Sequence, residues 1–522
     1  MKIREGNLRL IILTQTAIVA FFCTQCTPGM KRQISHDAIP LNEEQGGVRY
    51  LKVHMKDGTL YNLNFWVTSL SDNVMKARGE FFDQNRNLVA TSADTFFTIN
   101  MTKVALYESN KITGLEGKIA GQALIFTPIA IITIYCAINP KACFGSCPTF
   151  YAWDGNKMRL MAEGFSSSIA RVFEKPDIDM LHSTVVKGRE FKIQLTNEAL
   201  ETHAIKYADL LVFPRSEGER IFATPSGCFY SSDQIIKPSS CDAPEGDCLA
   251  KVLDMDQSER FSAADPNDLT IKETIEVEFK EIPNGKLGLI IGSRQTLMTT
   301  FLFYQGMAHA GSKLPYYHAQ VESGNESMQH HLTRIWDLLG GIEVQVQNNN
   351  GKWVKAGEIA EMGPIAADLQ LVTLPEITGE KVKVRIKMTK GLWRIDQVGL
   401  IVIDQEVQPI RIKPACVLRE NVEDETALNS LIDSTQYLLT FPGDRYELIY
   451  NLPDDKDYEI FLHSKGYYLE WMREDWIKEE NNFRMAVMFA FPKQYLKMMA
   501  PEFKEIEPFM EYSFWNSRYV KQ

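Results

Sequence analysis

Alternating apolar and polar residues recur along much of this chain. Residues 382–388 and 342–346 show the alternation most clearly. Successive side chains of a β-strand point to opposite faces, so this period of two predicts half-buried strands. Connections rich in Pro, Gly and Asn separate the segments, as is typical of antiparallel sheets. The pattern predicts a mainly β fold made of β-sandwich and small-barrel modules.

Helical patterns interrupt the strands, mostly towards the C-terminus. Strand patterns at 446–450 and 458–462 alternate there with helical ones, so an α+β region is expected. The predicted helices are 296–306, 327–339, 469–480, 493–499 and 501–512.

These patterns divide the chain into six expected segments. They are a signal peptide or lipid-anchor region at 1–26, a flexible tether at 27–45, a small β-barrel or roll at 46–118, an apolar segment at 119–141, a β-sandwich-like region at 142–405, and an α+β region at 406–522.

The N-terminus has the pattern of an export signal. Lys2, Arg4 and Arg9 precede an uncharged apolar run over 10–23, as in a signal peptide. Two cysteines end this run. A cysteine there resembles the lipid-modified residue of bacterial lipoproteins, and Cys26 is preferred over Cys23 because the polar tether begins directly after it. An ordinary cleaved signal and an uncleaved anchor helix remain alternatives. We expect a membrane-anchored protein of the bacterial cell envelope, facing the periplasm or in the outer membrane.

A second apolar run lies at 119–140, which contains no charged residue and is flanked by Lys118 and Lys141. Its length suits a transmembrane helix. However, Pro128 lies within it, and a buried core segment explains the composition equally well. Both interpretations stay open.

Charge and cysteine content narrow the function classes. The net charge of −11 gives no basic footprint for phosphate backbones, so nucleic acid is not an expected partner. In an exported chain, disulfides are the default for cysteines. Cys241–Cys248 is the first candidate pair and Cys143–Cys147 the second, because each would close a short turn. Cys-x-x-Cys occurs only in the export segment, so no metal is expected.

One cluster of residues could carry carbohydrate chemistry. Two carboxylates stand beside aromatic residues that could stack on a sugar; the cluster is Tyr467, Tyr468, Glu470, Trp471 and Glu474. The alternative is that the aromatic rings pack a helix onto a sheet. Nucleophile elbows, phosphate-binding loops and dinucleotide fingerprints do not occur in the sequence. We therefore assign no catalytic or cofactor-binding residue and favour a protein that is not an enzyme.

The segment 147–155, Cys-Pro-Thr-Phe-Tyr-Ala-Trp-Asp-Gly, resembles the CPxxYxWDG hairpin of a loosely defined family of bacterial cell-envelope proteins of lipoprotein type. Residues 391–396 and 466–471 are similar to two further motifs of that group. The resemblance implies a β-rich envelope protein and supplies no catalytic residue. The leading hypothesis is a non-enzymatic, envelope-anchored protein that binds or organises a partner, either another envelope protein or a glycan. The alternative is a carbohydrate-binding or carbohydrate-active protein on a β-sandwich scaffold.

Overall fold

The structure is a computed structural model. It describes residues 29–35, 48–55, 59–69, 71–82, 88–113, 147–186, 188–199, 201–314, 317–318, 321, 325–360, 363–377, 379–441, 443–454, 456–470 and 479–515. Strands make up 48% and helices 20%, which confirms the predicted mainly β class with a helical C-terminal region. Several predictions fall outside the described residues: those on Cys23, Cys26, segment 119–140, Cys143, Trp471 and Glu474.

The chain forms two compact units. The first is an antiparallel sheet with the strand order β1-β6-β2-β3-β4-β5. Its strands are β1 (Gly29–Ser35), β2 (Val48–Met55), β3 (Leu60–Ser69), β4 (Val74–Phe82), β5 (Leu88–Asn100) and β6 (Val104–Thr113). Strand β1 lies in the segment expected to be a tether, where it pairs with β6 instead. Leu51, Leu63, Trp66 and Met75 form the centre of its core.

The second unit contains all later elements. Its strands are β7 (Thr149–Trp153), β8 (Met158–Glu163), β9 (Pro176–Met180), β10 (Glu190–Thr196), β11 (Glu201–Pro214), β12 (Arg220–Ala223), β13 (Phe229–Ser232), β14 (Ile235–Ile236), β15 (Ser240–Ala243), β16 (Gly246–Asp247), β17 (Arg260–Phe261), β18 (Lys272–Lys280), β19 (Lys286–Gln295), β20 (Ile342–Gln347), β21 (Trp353–Ile359), β22 (Asp368–Thr373), β23 (Lys381–Thr389), β24 (Trp393–Ile403), β25 (Gln405–Val407), β26 (Ile410–Ile412), β27 (Cys416–Arg419), β28 (Val422–Glu423), β29 (Leu438–Thr440), β30 (Arg445–Asn451) and β31 (Tyr458–Glu470). Its helices are α1 (Met298–Ala310), α2 (Glu326–Leu339), α3 (Glu425–Ile432), α4 (Asn482–Ala490) and α5 (Pro492–Trp515).

These strands form four sheets. Sheet 1 has the order β28-β27-β30-β10-β7-β8, and sheet 2 the order β26-β11-β31-β9 with β29 also beside β11. Sheet 3 has the order β14-β24-β19-β22-β12-β13-β25 with β17 beside β24, and sheet 4 the order β16-β15-β18-β23-β20-β21. Strands from both sides of the expected boundary at residue 405 pair within sheets 1 and 2, so the chain does not divide there.

Sheet 2 is the middle layer of a stack. Leu210 and Val212 of β11 join a core shared with sheet 1, while Leu211 and Phe213 face the opposite way into a core shared with sheet 3. Such burial on both faces explains why residues 210–213 of β11 form a continuous apolar run instead of alternating with polar residues. Sheet 4 contacts sheet 3 closely, since a Cβ atom added at Gly357 would lie 2.7 Å from Val372 Cγ1.

The helices correct two predictions. Leu469 and Glu470, expected to begin a helix, end strand β31, because they pair with Thr202 and Glu201 of β11. The two helices expected at 493–499 and 501–512 form the single helix α5, which continues through Pro501 and Pro508. The fixed φ of proline is compatible with a helix, so each proline costs a hydrogen bond without ending the helix here. Over the described part of the chain, no helix is both long and apolar enough to cross a membrane.

Candidate ligand cavity

The predicted sugar-stacking cluster does not present its tyrosine rings to solvent. Tyr467 is 1% and Tyr468 6% exposed, so protein atoms cover both rings. They also face opposite sides of sheet 2, because they are neighbours on β31. Tyr467 packs with Tyr437, while the Tyr468 hydroxyl donates to the Ser166 carbonyl at 2.9 Å. Among the described members of the cluster, packing rather than ligand stacking therefore accounts for the aromatic residues.

Glu470 belongs to a polar group that the sequence did not indicate. Glu201 lies directly opposite Glu470 in the β11–β31 pair, and Tyr304 of α1 donates to Glu470 Oε1 at 2.7 Å. His203 Nε2 lies 3.0 Å from Glu201 Oε2, and both side chains are at most 1% exposed. Burial lowers the pKa of His203 to about 3, so its ring is neutral at pH 7. Burial at this level favours a structural role for the group.

The Cys-Pro-Thr-Phe-Tyr-Ala-Trp-Asp-Gly segment forms the predicted hairpin between β7 and β8. Asp154 Oδ1 accepts hydrogen bonds from the Asn156 and Lys157 amides, both at 2.8 Å, and Gly155 adopts a φ of +95°. An aspartate followed by a glycine in the left-handed region is a favourable turn pair. Tyr151 donates to Glu198 Oε1 at 2.7 Å, which ties the hairpin to the residues after β10.

The first predicted disulfide is absent. Cys241 on β15 and Cys248, directly after β16, are both buried free thiols. Cys248 Sγ donates to the Cys241 carbonyl at 3.2 Å instead of bonding to the other sulfur. Cys147 Sγ donates to the Ser166 carbonyl at 3.8 Å. Because Cys143 is outside the described residues, its pairing with Cys147 stays a prediction.

Four carboxylates converge where sheets 1, 2 and 3 meet: Glu163, Asp177, Asp179 and Asp368. Backbone amides donate hydrogen bonds to three of these carboxylates. Glu163 Oε2 accepts from Ile365 and Ala366, Asp177 Oδ2 from Phe165, and Asp368 Oδ1 from Met180. Asp179 Oδ2 is buried without a hydrogen-bond partner among the described residues, and burial together with these neighbours raises the pKa of Asp179. Within the described ranges no three His, Cys, Asp or Glu side chains are placed to hold a metal ion.

The helices of the second unit pack around an apolar cavity. Helix α1 is buried on nearly every face, as expected for a helix inside a protein. Its C-terminus is tied to α4, since the Asn481 amide donates to the His309 carbonyl at 3.0 Å. Helix α2 begins at its cap Asn325, and Arg334 Nη1 donates to the Phe489 carbonyl of α4 at 3.2 Å. These contacts hold α1, α2 and α4 at fixed positions around the space.

The cavity has a volume of about 110 Å³. Its wall also includes residues from the loop before β9 and from the connection between α1 and α2. The lining residues are Ser167, Ile169, Ala170, Phe173, Leu302, Phe303, Gly306, Met307, Ala310, Leu314, Tyr317, His318, Val321, His331, Leu332, Thr333, Ile335, Trp336, Met485 and Met488. An apolar cavity with few polar groups is the usual form of a small-molecule site. We take this cavity as the candidate functional site.

Polar atoms in the wall are few. The Thr333 hydroxyl donates to the His330 carbonyl of its own helix at 3.2 Å. The His331 ring stacks on Phe489 with centroids 5.2 Å apart and planes at 23°. Its Nδ1 atom is buried and has no hydrogen-bond partner among the described residues. No sequence pattern points to this site, because its lining residues are scattered between positions 167 and 488.

Comparison with known proteins identifies no family. No family model and no curated protein sequence matches the chain. Among solved structures it is similar to the carbohydrate-binding module TmCBM61 in complex with β-1,4-galactotriose (TM-score 0.14, 9% identity, 37% of this chain and 88% of that one). It is also similar to the secreted serine protease VesC from Vibrio cholerae (0.14, 10%, 71% and 76%) and to the GH31 α-xylosidase from Xanthomonas citri (0.15, 6%, 84% and 38%). Similarities at such TM-scores carry no argument about fold or ligand.

Proposed function

We propose that this protein is a non-enzymatic, membrane-anchored protein of the bacterial cell envelope that binds a small apolar molecule. The cavity between α1, α2 and α4 is the observation that carries the proposal. Its wall supplies mainly aliphatic, aromatic and methionine side chains, which favour an apolar ligand through burial of surface from water. The anchor rests on the N-terminal sequence alone.

The cavity size sets the size of the ligand. An engineered cavity of about 150 Å³ in another protein binds benzene or xenon, so 110 Å³ suits a molecule or molecular fragment near the size of benzene. A ligand that fills this space gains free energy by burying apolar surface from water.

Benzene binding to the full chain tests the proposal. We expect a saturable rise of the melting temperature with benzene, and loss of that rise in Ala310→Leu, whose larger side chain fills the cavity. Gln305→Leu is the matched control, because Gln305 lies on the same helix outside the cavity wall. Equal responses of wild type and Ala310→Leu, or no response in wild type, would reject the proposal.

The anchor is tested separately by cell fractionation. If Cys26 carries the lipid, Cys26→Ala releases the protein from the membrane fraction while Cys23→Ala does not. The reverse result assigns the lipid to Cys23. Retention of both variants, and of the double variant, argues against lipid attachment at either position.

A carbohydrate-binding role is the second candidate, and one observation in the first unit favours it. Phe65 and Phe96 are 43% and 46% exposed, and the Arg78 guanidinium lies 4.4 Å from the Phe96 ring centroid and 5.9 Å from that of Phe65. Exposed rings beside a cationic donor could hold a sugar. A glycan array tests this: signals that vanish in Phe65→Ala but persist in Val67→Ala would favour this candidate. An array without signals would reject it.

A further inference from the structure

We infer that the cavity selects a neutral amphipathic ligand, with an apolar body about the size of benzene and one hydroxyl group that hydrogen-bonds to Nδ1 of His331. This inference rests on the proposed function, since it describes the ligand of the same cavity. Two observations support it: the charge of the side chains that line the cavity, and the hydrogen bonding of His331.

The wall excludes a charged ligand. None of the described residues that line the cavity is Asp, Glu, Lys or Arg. An ammonium group buried here would have no carboxylate beside it, and a carboxylate would have only the imidazole rings of His318 and His331 rather than a permanent cation. Burying an incompletely paired ion is far more costly than burying a neutral group. Fatty acids and amines are therefore disfavoured, whereas alcohols and phenols are not.

His331 favours a ligand with one hydrogen-bonding group over a hydrocarbon. Its ring lines the cavity and is held by stacking on Phe489, so its nitrogen atoms have a fixed direction. Nδ1 is buried, and no described residue bonds to it. An unsatisfied buried nitrogen is costly, so a ligand group that bonds to it gains affinity.

A hydroxyl group suits either form of the ring. If Nδ1 carries no hydrogen, it accepts from the ligand O–H; if it carries one, it donates to the ligand oxygen. A ketone or ether could satisfy only the second form. The neighbouring Thr333 hydroxyl already donates to the His330 carbonyl, so it can serve a ligand hydroxyl only as an acceptor.

The test compares phenol with benzene on the full chain by calorimetric titration. In wild type we expect phenol to bind roughly tenfold more tightly than benzene, the size of one satisfied neutral hydrogen bond. In His331→Phe, which keeps the stacked ring but removes the nitrogen atoms, the preference should disappear while benzene binding remains. His330→Phe is the matched control, since His330 is exposed outside the cavity wall, and should keep the preference.

The outcomes separate the two proposals. If neither compound binds to wild type, the proposed function itself fails. If benzene binds but the phenol preference is absent in wild type, or is equal in wild type and His331→Phe, only the present inference is overturned. Should His331→Phe not fold, His331→Leu replaces it, with anisole as a second probe: its methylated oxygen should bind less tightly than phenol when Nδ1 acts as the acceptor.

Discussion

Replacing Asp368 by Asn should stabilise the protein at neutral pH. Asp368 begins β22 in sheet 3 and is 5% exposed. Burial raises the pKa of its carboxyl group from 3.8 to about 6, against the opposing effect of the hydrogen bond from the Met180 amide. Like-charged Asp177 raises the pKa further. Keeping this carboxylate charged in the folded protein therefore costs free energy of folding, and a neutral amide at the same position avoids that cost.

The pKa shift gives the size and the sign of the effect. The pKa of Asp368 is higher in the folded protein than in the unfolded chain. Below about pH 4 the carboxyl group is protonated in both states, and its contribution to stability is fully present. As the pH rises through about 6, the proton is lost and that stability is lost with it. A shift of about two units corresponds to about 3 kcal/mol at pH 8 and to about 1 kcal/mol at pH 4.5. Asp368→Asn should remove this penalty at both pH values.

The local structure can accept the amide. The Met180 amide donates to Asp368 Oδ1 at 3.0 Å, and the side-chain oxygen that remains after the substitution can keep this bond. Gln370 Nε2 donates to Asp368 Oδ2 at 2.9 Å, and its Oε1 atom is buried without a partner among the described residues. Rotating the Gln370 amide by half a turn lets Oε1 accept from the new Nδ2 atom, so the substituted side chain keeps both of its partners.

Urea denaturation followed by near-ultraviolet circular dichroism measures the effect. Each variant is compared with the unchanged chain at pH 4.5 and at pH 8. Asp404→Asn, a substitution at an exposed aspartate, is the control and should change stability little. The reasoning is refuted if Asp368→Asn destabilises the protein at pH 8, or if its effect is the same at both pH values.

Three other predictions follow from the second unit. Arg260→Met should destabilise it by about 3–5 kcal/mol in the same denaturation assay, because the buried carboxylate of Glu273, 2.6 Å from Arg260 Nη1, loses its partner; replacing both residues by apolar ones should recover much of the loss. Gly391→Ala should cost more than Gly218→Ala, since both glycines have a φ near +80° but only at Gly391 would a Cβ atom meet backbone, 2.4 Å from the Ala264 nitrogen; equal costs would contradict this steric argument. The buried thiols of Cys241 and Cys248 should resist a thiol reagent until urea unfolds the chain, and an intact mass two hydrogens lower would instead indicate a disulfide.

Local features of this protein could be predicted from its sequence. The alternation at 382–388 gives β23, whose buried and exposed residues alternate as expected. The hairpin expected from segment 147–155 is present between β7 and β8, and the helices expected at 296–306 and 327–339 are present as α1 and α2. These signals are local because side-chain period, turn geometry and helix capping depend on residues close together in the chain.

The partners of those elements were decided by tertiary structure alone. Strand β10 pairs with β30, although the two strands lie far apart in the chain, and this pairing removes the boundary expected at residue 405. Pairing with β11 makes Leu469 and Glu470 part of a strand, and the covering of both its faces buries Tyr467 and Tyr468 where the sequence allowed a sugar-binding surface. A sequence pattern states that a face is apolar, but not which distant face will cover it.

The candidate cavity shows most clearly the difference between what the sequence predicts and what tertiary packing decides. Most residues of the cavity wall are apolar residues without a distinguishing motif in their own segments, and the helical patterns at 296–306 and 327–339 correctly predict that helices exist there. Whether such faces close completely or leave a space of about 110 Å³ depends on how helices from distant parts of the chain pack. The sequence determined the elements and their apolar residues. Only packing among them determined the cavity and the histidine ring that lines it.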